Sequence, residues 1–456
     1  MTSDQVNDFL GLSEDEKKYA YGIYRTIDSS SKPTSAFMRC GNMNLHATLP
    51  IQNSIHGCIW DHENGRIKYF LNNTNFYKKN NNEDSKLDGT DGSIRNFVPE
   101  HYIRSKQIPG GYDVVMMSMQ PIEGYMKIPA CVVDITGVTI DQETDKAMCI
   151  YNTSKRYRGG FNIRTYDDYL TSGDRYRSSL GKSRSFSTLS VSLSDFRKYA
   201  KNNNTEVLIY DVYKSLLWMC CIEFCTIDPM IPFDKTPTAD GYKRGGVGSG
   251  LVSIMRDYDW GTYNGWIPIT PINYMFEYGN RNAVKDLVIS EIVPQTTTAF
   301  CWRGFLNLFT DYGKIVDGIL VEATSSDYLN VYVSRNSNNE IDMSIQGDSK
   351  TGMKGPYKIL NQKGYIQQFN LGDCADIFPS IITTDSYSNI SEYKYDYFNN
   401  NISDTSSTGY YIPKFSTYNI NDIYVFHGVF DFGLQNNGSG LCYTFDFVNS
   451  KFYKDI

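Results

Sequence analysis

Glu223 interrupts an otherwise apolar run, LLWMCCIEFC, and an acid in that setting is the first residue whose position invites chemistry. Burial raises a carboxyl pKa toward the range in which it can act as a general acid. The same burial suits an anchor, with Glu223 accepting hydrogen bonds from the backbone of the Gly-rich text nearby or from Arg303, and the anchor is the preferred reading. Asp317, in VDGI, reads as a turn acid ahead of a strand, because Gly318 permits the backbone geometry such a turn needs. Cys221 and Cys225 are one helical turn apart and Cys220 adjoins them, but a metal centre needs more ligands. The five histidines, at 46, 56, 62, 101 and 427, make no i,i+4 pair and no H-E-x-x-H helix, and His56, Cys58 and His62 read as ordinary strand and turn residues. Gly245, Gly246, Gly248 and Gly250 look superficially like a phosphate cradle. Lys243 and Arg244 precede them and Leu251-Val252-Ser253 comes after, whereas a P-loop ends in Gly-Lys-Ser/Thr, so a tight structural loop is expected. No G-x-S-x-G elbow is present. The expectation is a protein that is not an enzyme, with no catalytic residue, no metal and no cofactor.

A basic stretch from Lys155 to Arg184 interleaves Arg156, Arg158, Arg164, Arg175, Arg177 and Lys182 with Tyr157, Tyr166, Tyr169 and Tyr176. Phosphate neutralisation with base stacking uses that combination, but a solvated face or a subunit contact uses it more often. The formal net charge of -7 gives no overall pull toward nucleic acid or an anionic membrane, so direct nucleic-acid binding is not expected.

The elements that would position these residues are mostly strands. Tyr at 36, Phe at 24 and Gly at 36 favour pleated sheets with tight corners over a helical bundle. Charged residues make up only 21%, so the polar surface is carried by Asn, Ser, Thr and Tyr. A chain of 456 residues can bury roughly 75% of its unfolded surface without disulfides or a metal. The ten cysteines are scattered and read as free, mostly buried thiols of a protein made in a reducing cytosol. The start, MTSDQVNDFLGLSEDEKKYA, has no basic n-region before an apolar core, and no window approaches the ~18 apolar residues of a membrane span.

Residues 1–39 read as a polar attachment leader with a short helix over Glu14–Thr26. Residues 40–155 read as a β-rich structural domain with strands near Gly57–Trp60, Ile67–Leu71, Tyr112–Met117 and Ala130–Ile135, separated by loops at Asn80–Asp84 and Asp88–Ser93. Two helices come next. The first starts at Ser192 with Asp195 as its capping-box acid and puts Leu193, Phe196 and Ala200 on one side. The second runs from Asp211, read as its N-terminal cap, to Phe224, apolar over most of its surface and therefore buried. Loop-rich text fills the stretch from Thr226 until strands resume near Leu287–Val293. Two helices among many short strands argue for an α+β fold and against a parallel βαβ architecture.

The order of several segments resembles a group of phage and prophage proteins of gut Bacteroidetes, tail-fibre, tail-tip or virion proteins with a C-terminal C-type-lectin-like fold. GCIWDHENGRIKYFL, then SKLDGTDGSIRNFVPEHYIR, VVMMSMQP and GYMKIPACVVD match the family's N-terminal order. Leu193–Ala200 looks like its "NFRxYA" helix, Leu217–Ile227 like "LWLxxIEYxT", Ala239–Gly250 like "ADGYxxGGxGxG", and WRGFLNLFTDYGKIVDGI like "YRGxENxFGxIWKWVDGI". FHGVFDFGLQNNGSGLCYTFDF, residues 426–447, is similar to the "GGxWxxGxxxGLFxF" segment of C-type-lectin-like and formylglycine-generating-enzyme-like folds. Lys314-Ile315 and Phe430 stand where relatives carry tryptophan, and the family's "GxR" closing strand has no counterpart after Ile456, so the closing strand is expected to be absent, swapped from a partner or supplied by a preceding segment. No cysteine arrangement matches the copper site of formylglycine-generating enzyme.

The resemblance implies residues 156–456 as a C-type-lectin-like α+β domain with long loop insertions. It implies a virion protein, made in the host cytoplasm, that self-associates (as a trimer if it is a fibre tip), contacts other particle proteins and attaches to a host surface glycan or protein without inserting in a membrane. Phe430, Gln435, Asn436, Asn437, Ser439 and Tyr443 are the candidate ligand-binding residues, on the segment that displays contact residues in that fold. The Tyr-, Asn- and Ser-rich text at Asp385–Tyr411 and Gln435–Tyr443 suits such a surface, since Tyr offers broad contact at low rotamer cost and Asn and Ser offer adaptable hydrogen bonds. Two other readings stand beside it. One is a purely architectural head-fibre or tail-hub decoration, and the other a polysaccharide depolymerase, which would need two facing carboxylates about 5–9 Å apart.

Overall fold

Thr2 and Ser13 each start a helix by reciprocal capping. In the computed structural model the Thr2 hydroxyl accepts from the Gln5 N–H while the Gln5 side chain accepts from the Thr2 N–H, and Ser13 and Glu16 repeat the pattern, giving α1 (Ser3–Phe9) and α2 (Glu14–Tyr19). The chain then becomes extended as β1 (Ala20–Thr26) and β2 (Met38–Gly41). The helix expected over Glu14–Thr26 therefore stops at Tyr19. The reason is tertiary: Ala20 to Arg25 are buried, and β1 is hydrogen-bonded along both edges, so six residues that could have continued a short helix complete a sheet instead. Within the polar leader expected over residues 1–39, residues 1–26 pack on the fold, since Leu10 and Leu12, in the link between α1 and α2, pack with Tyr24, Cys40, Val114 and Met116.

The structure describes residues 1–26, 37–141, 143–151, 176–178, 193–226, 234, 236–237, 241–242, 275–288, 296–306, 308–309, 314–323, 327–345, 349–362, 364–383, 397–398, 410–411, 414–415 and 441–449. Helices α3 (Met43–Thr48) and α4 (Pro50–Asn53) lead into β3 (His56–Asp61), β4 (Arg66–Asn72), β5 (Asn75–Lys79), β6 (Ser93–Val98), β7 (His101–Ile108), β8 (Tyr112–Ser118), β9 (Met126–Ile128) and β10 (Cys131–Asp134). The four strands expected in this part of the sequence correspond to β3, β4, β8 and β10. A five-stranded antiparallel sheet has the order β2, β1, β8, β7, β9. At Gly22 a Cβ would lie 2.1 Å from the Val115 carbonyl oxygen, so β1 and β8 approach as closely as they do only because no side chain intervenes.

A seven-stranded antiparallel sheet has the order Glu206–Val207, Thr444–Phe447, β10, β6, β3, β4, β5. Two of its strands come from beyond residue 155, so the sheet crosses the boundary expected there between a β-rich domain and a C-terminal one. The strand Thr444–Phe447, which ends the segment compared above with the lectin-like motif, lies between β10 and Glu206–Val207. Smaller sheets surround Thr139–Asp141, Thr296–Trp302, Lys314–Ile315, Tyr328–Val333 and Gly364–Asn370. The strand that resumes after the loop-rich region begins earlier than expected, at Ala283.

Helix α5 (Leu193–Lys201) buries Leu193, Phe196 and Ala200, the three residues expected to share one side; Ser192 lies outside the described residues. Helix α6 (Tyr210–Phe224) is buried along its whole length, as its near-continuous apolar run requires. One apolar cluster extends from Tyr21 and Ile23 in β1, through α6, to Trp302, Val331, Tyr443 and Phe445. The result is a mixed α+β fold of several antiparallel sheets and a few helices. Among the described residues no helix is long and apolar enough to cross a membrane.

Candidate functional site

Glu223 lies one residue before the end of α6, where the helix meets a tight hairpin. Trp302 pairs with Phe305 across Arg303 and Gly304, both at positive φ (51° and 87°), as a two-residue turn of the twist-compatible type requires. The turn delivers the Arg303 guanidinium to Glu223 through two bonds, Nε to Oε2 at 3.1 Å and Nη2 to Oε1 at 2.8 Å. Trp302 Nε1 (2.9 Å) and Asn282 Nδ2 (2.6 Å) also donate to the same carboxylate. Four donors on two oxygens leave Glu223 engaged on every side, and Arg303, one of the partners expected from sequence, is its ion-pair partner. An acid held this way ties the end of α6 to the hairpin.

The other end of α6 carries a denser cluster. Arg335, with no solvent exposure, reaches both oxygens of Asp211 with Nε (3.1 and 2.9 Å) and donates to Asp376 with Nη1 (2.8 Å) and Nη2 (2.6 Å); its Nη2 also contacts Asp211 Oδ1. Lys214 Nζ joins Asp211 (2.9 Å), Asp376 (3.2 Å) and the Cys374 carbonyl (2.7 Å). Asp211 is thus not the helix cap expected from sequence; Ile209 takes that position without a side-chain bond, because a buried arginine and lysine claim the carboxylate. Burial pushes the Asp211 and Asp376 pKa values up, and the two cations outweigh it, holding both carboxyls below the ordinary carboxylate range. Two cations against two carboxylates balance the charge.

Asp317 comes after the strand Lys314–Ile315 and accepts two bonds from Arg197 of α5, at 2.7 and 2.8 Å, and one from the Gly318 N–H at 2.7 Å. Gly318 has φ 72°, so the turn role expected of this acid holds, with the α5 contact added.

In the seven-stranded sheet Arg95 of β6, wholly buried over the Trp60 ring, bonds Asp134 of β10 (2.9 Å), Asp446 (2.5 Å) and the Thr205 and Thr444 hydroxyls (2.7 and 2.6 Å). The Thr444 N–H and hydroxyl donate to the other Asp134 oxygen. Burial raises the Asp134 and Asp446 pKa values against the opposing pull of Arg95. Neither this cluster nor the one at Arg335 could be read from sequence spacing, because each arginine lies 39 to 351 residues from its acids.

The candidate ligand-binding residues divide. Tyr443 is a correction: it is completely buried, packs in the main core and donates its hydroxyl to the Leu306 carbonyl at 3.4 Å. The physical reason is strand alternation, since Tyr443 and Phe445 point into the core from the segment that joins the seven-stranded sheet. Phe430, Gln435, Asn436, Asn437 and Ser439 lie outside the described residues. Their connection to the fold is described at both ends: Lys314 pairs with Phe415 on one side and with Leu441 on the other. The strands on either side of residues 416–440, Lys414–Phe415 and Leu441–Cys442, thus flank the same strand, Lys314–Ile315. The Tyr-rich text after Asp385 has a similar frame, for Thr383 and Tyr397 both pair with Tyr365.

Nine of the ten cysteines are buried and Cys225 is partly so; none is bonded to another. Burial lifts the Cys58 thiol to about 12. His62 Nε2 lies 2.7 Å from the Ser93 hydroxyl, and burial, then Arg95 and Lys146, drive its pKa down to about 2. Among the described residues no group of His, Cys, Asp and Glu could hold a metal ion. The basic stretch 155–184 is described only at Tyr176–Ser178, which pairs with Thr139–Asp141. The glycines 245–250 lie outside the described residues. No family model, curated protein or solved structure matches the chain.

Proposed function

We propose that this chain is a structural, ligand-binding protein of a bacteriophage particle, a tail-fibre or receptor-binding component whose C-terminal half is C-type-lectin-like. The observation that carries the reading is the two-ended anchoring of residues 416–440 on Lys314–Ile315, beside a buried core. A Gly- and Asn-rich segment whose two ends pair with one strand suits ligand display, because fixed ends limit the ordering cost of contact. With Tyr443 in the core, the proposed contact residues are Phe430, Gln435, Asn436, Asn437 and Ser439. The resemblance in the order of sequence segments to phage virion proteins is in keeping with the same reading. The depolymerase reading has less support, because the buried acids Asp134, Asp211, Glu223, Asp317 and Asp376 are each engaged by arginine.

Self-association, as a trimer at a fibre tip, and contacts with other particle proteins belong to this proposal, since several weak sites on one assembly raise effective concentration. The test uses labelled full-length chain on a panel of gut Bacteroidetes isolates, with sedimentation run in parallel. Binding to a subset of isolates, reduced severalfold by Asn436→Ala with Asn437→Ala while melting and sedimentation stay unchanged, is the expected result. Undiminished binding by that double variant removes the display segment, and failure to bind any isolate with a compact monomer in sedimentation removes attachment altogether.

A further inference from the structure

The cluster at Arg335 balances two cations against two carboxylates, whereas Arg95 alone faces both Asp134 and Asp446. The second carboxylate belongs to the strand Thr444–Phe447, inserted between β10 and Glu206–Val207. Asp134 is fully buried and Asp446 retains 16% side-chain exposure, so the excess negative charge has one member within reach of a proton. We propose that Arg95, Asp134 and Asp446 form a pH-sensitive clasp that holds the C-terminal strand more tightly as the surroundings become more acidic.

The other ionisable groups around the clasp do not supply the missing positive charge. Glu206, on the neighbouring strand, adds another carboxylate near Asp446, and Asp317 adds its field beyond that, while Lys201 and Arg197 offset them from α5. On the β3 side stand Cys58 and His62, with Lys146 near His62, and on β10 stands Cys131; burial keeps both thiols protonated and the imidazole neutral. His62 bonds Ser93 of β6, not the C-terminal strand, so it stays in place when that strand opens.

Linkage sets the sign. Asp446 and Asp134 have pKa values raised in the closed strand, chiefly by burial, so the closed form binds protons more tightly than an opened form with ordinary carboxylates. As pH falls through the raised values toward the ordinary carboxylate value, the closed form gains; above the raised values the gain is absent. Protonated Asp446 leaves Arg95 and Asp134 as a balanced pair and keeps its own hydrogen bond. The clasp also steadies Leu441–Cys442, one foot of the 416–440 segment.

Amide hydrogen exchange of the peptide covering 441–449, corrected for intrinsic rates and expressed relative to its own value at about pH 7.5, tests this between about pH 7.5 and about pH 4.5, where one coupled proton changes protection by at most about tenfold per unit. The expected result is a severalfold rise in relative protection of that peptide on acidification, a much smaller rise in Asp446→Asn, and a full rise in His62→Gln. Relative protection that is flat or falls with acid in the wild-type chain overturns the proposal without any variant, and so does an undiminished rise in Asp446→Asn.

Discussion

Arg335 is wholly buried and its three nitrogens are spent on two carboxylates that Lys214 also serves. Removing one member of such a set strands the others in a medium that cannot solvate them. Arg335→Met should therefore destabilise the protein by about 3–5 kcal/mol, measured by denaturant titration, since uncompensated buried charge costs that much. A loss below about 1 kcal/mol would place the cluster in contact with water. The same residues set an acid limit. Asp211 and Asp376 are held below the ordinary carboxylate range, so their contribution is present above roughly pH 4, the unfolded carboxyl value, and is lost as pH falls further through the depressed values. Buried neutral histidines add to this from a higher pH: His46 and His101 are pushed down to about 4 by burial, so the unfolded chain takes up their protons first as pH drops below roughly 6.5. Global stability should fall with acid even though the Arg95 clasp tightens, and thermal melts across pH 7 to 3 check the sum.

Helix α6 is the element on which both ends of the polar framework depend, with the Arg335 cluster at its start and Arg303 at its end. Leu217 is 1% exposed within it, and Leu217→Ala should cost about 2–5 kcal/mol through lost burial and a cavity, measured by denaturant titration. Gly304 tests the hairpin that meets the helix: a Cβ there would lie 2.6 Å from Asn280 Nδ2 and 2.9 Å from Asn96 Oδ1, at a φ of 87°. Gly304→Ala should thus lower the melting temperature by several degrees, through strain of about 1–3 kcal/mol. Both helices were legible because periodicity and apolar density are local properties, and Glu223 was legible as an anchor because nothing else in its run is polar. Arg95 and Arg335 were not, since a buried arginine among strand residues looks like any surface arginine until its distant acids are known. The helix caps Thr2-x-x-Gln5 and Ser13-x-x-Glu16 carried a readable signature that the polar composition of the leader concealed. Tyr443 was misplaced because the glycines before it suggest loop, while the alternation of Tyr443, Phe445 and Phe447 with Thr444 and Asp446 is a strand pattern.

At the scale of the whole molecule the chain's first and last described strands both sit inside sheets built largely from residues 56–134. This arrangement makes the N-terminal segment part of the fold. β1 lies between β2 and β8, with Tyr21 and Ile23 in the main core and Ala20 and Tyr24 in the satellite core under α1 and α2. Asn7 ties the segment to β2 by exchanging hydrogen bonds with Gly41, donating to its carbonyl at 3.0 Å and accepting from its N–H at 2.8 Å. Glu16, 1% exposed, accepts from Lys106 of β7 at 2.5 Å, so a charge pair also joins α2 to a strand two places along the sheet from β1. Removing residues 1–26 would expose the apolar faces of β8 and β2 together and leave β8 as an unpaired edge, which invites aggregation. The truncated chain should lose its cooperative thermal transition and bind a hydrophobic dye, whereas removal of a mere attachment leader would leave the melting temperature unchanged. A soluble truncation that melts within a degree or two of the full chain would show that the sheet closes without β1, and that the caps, the Asn7 contacts and the Glu16 pair are incidental to the fold.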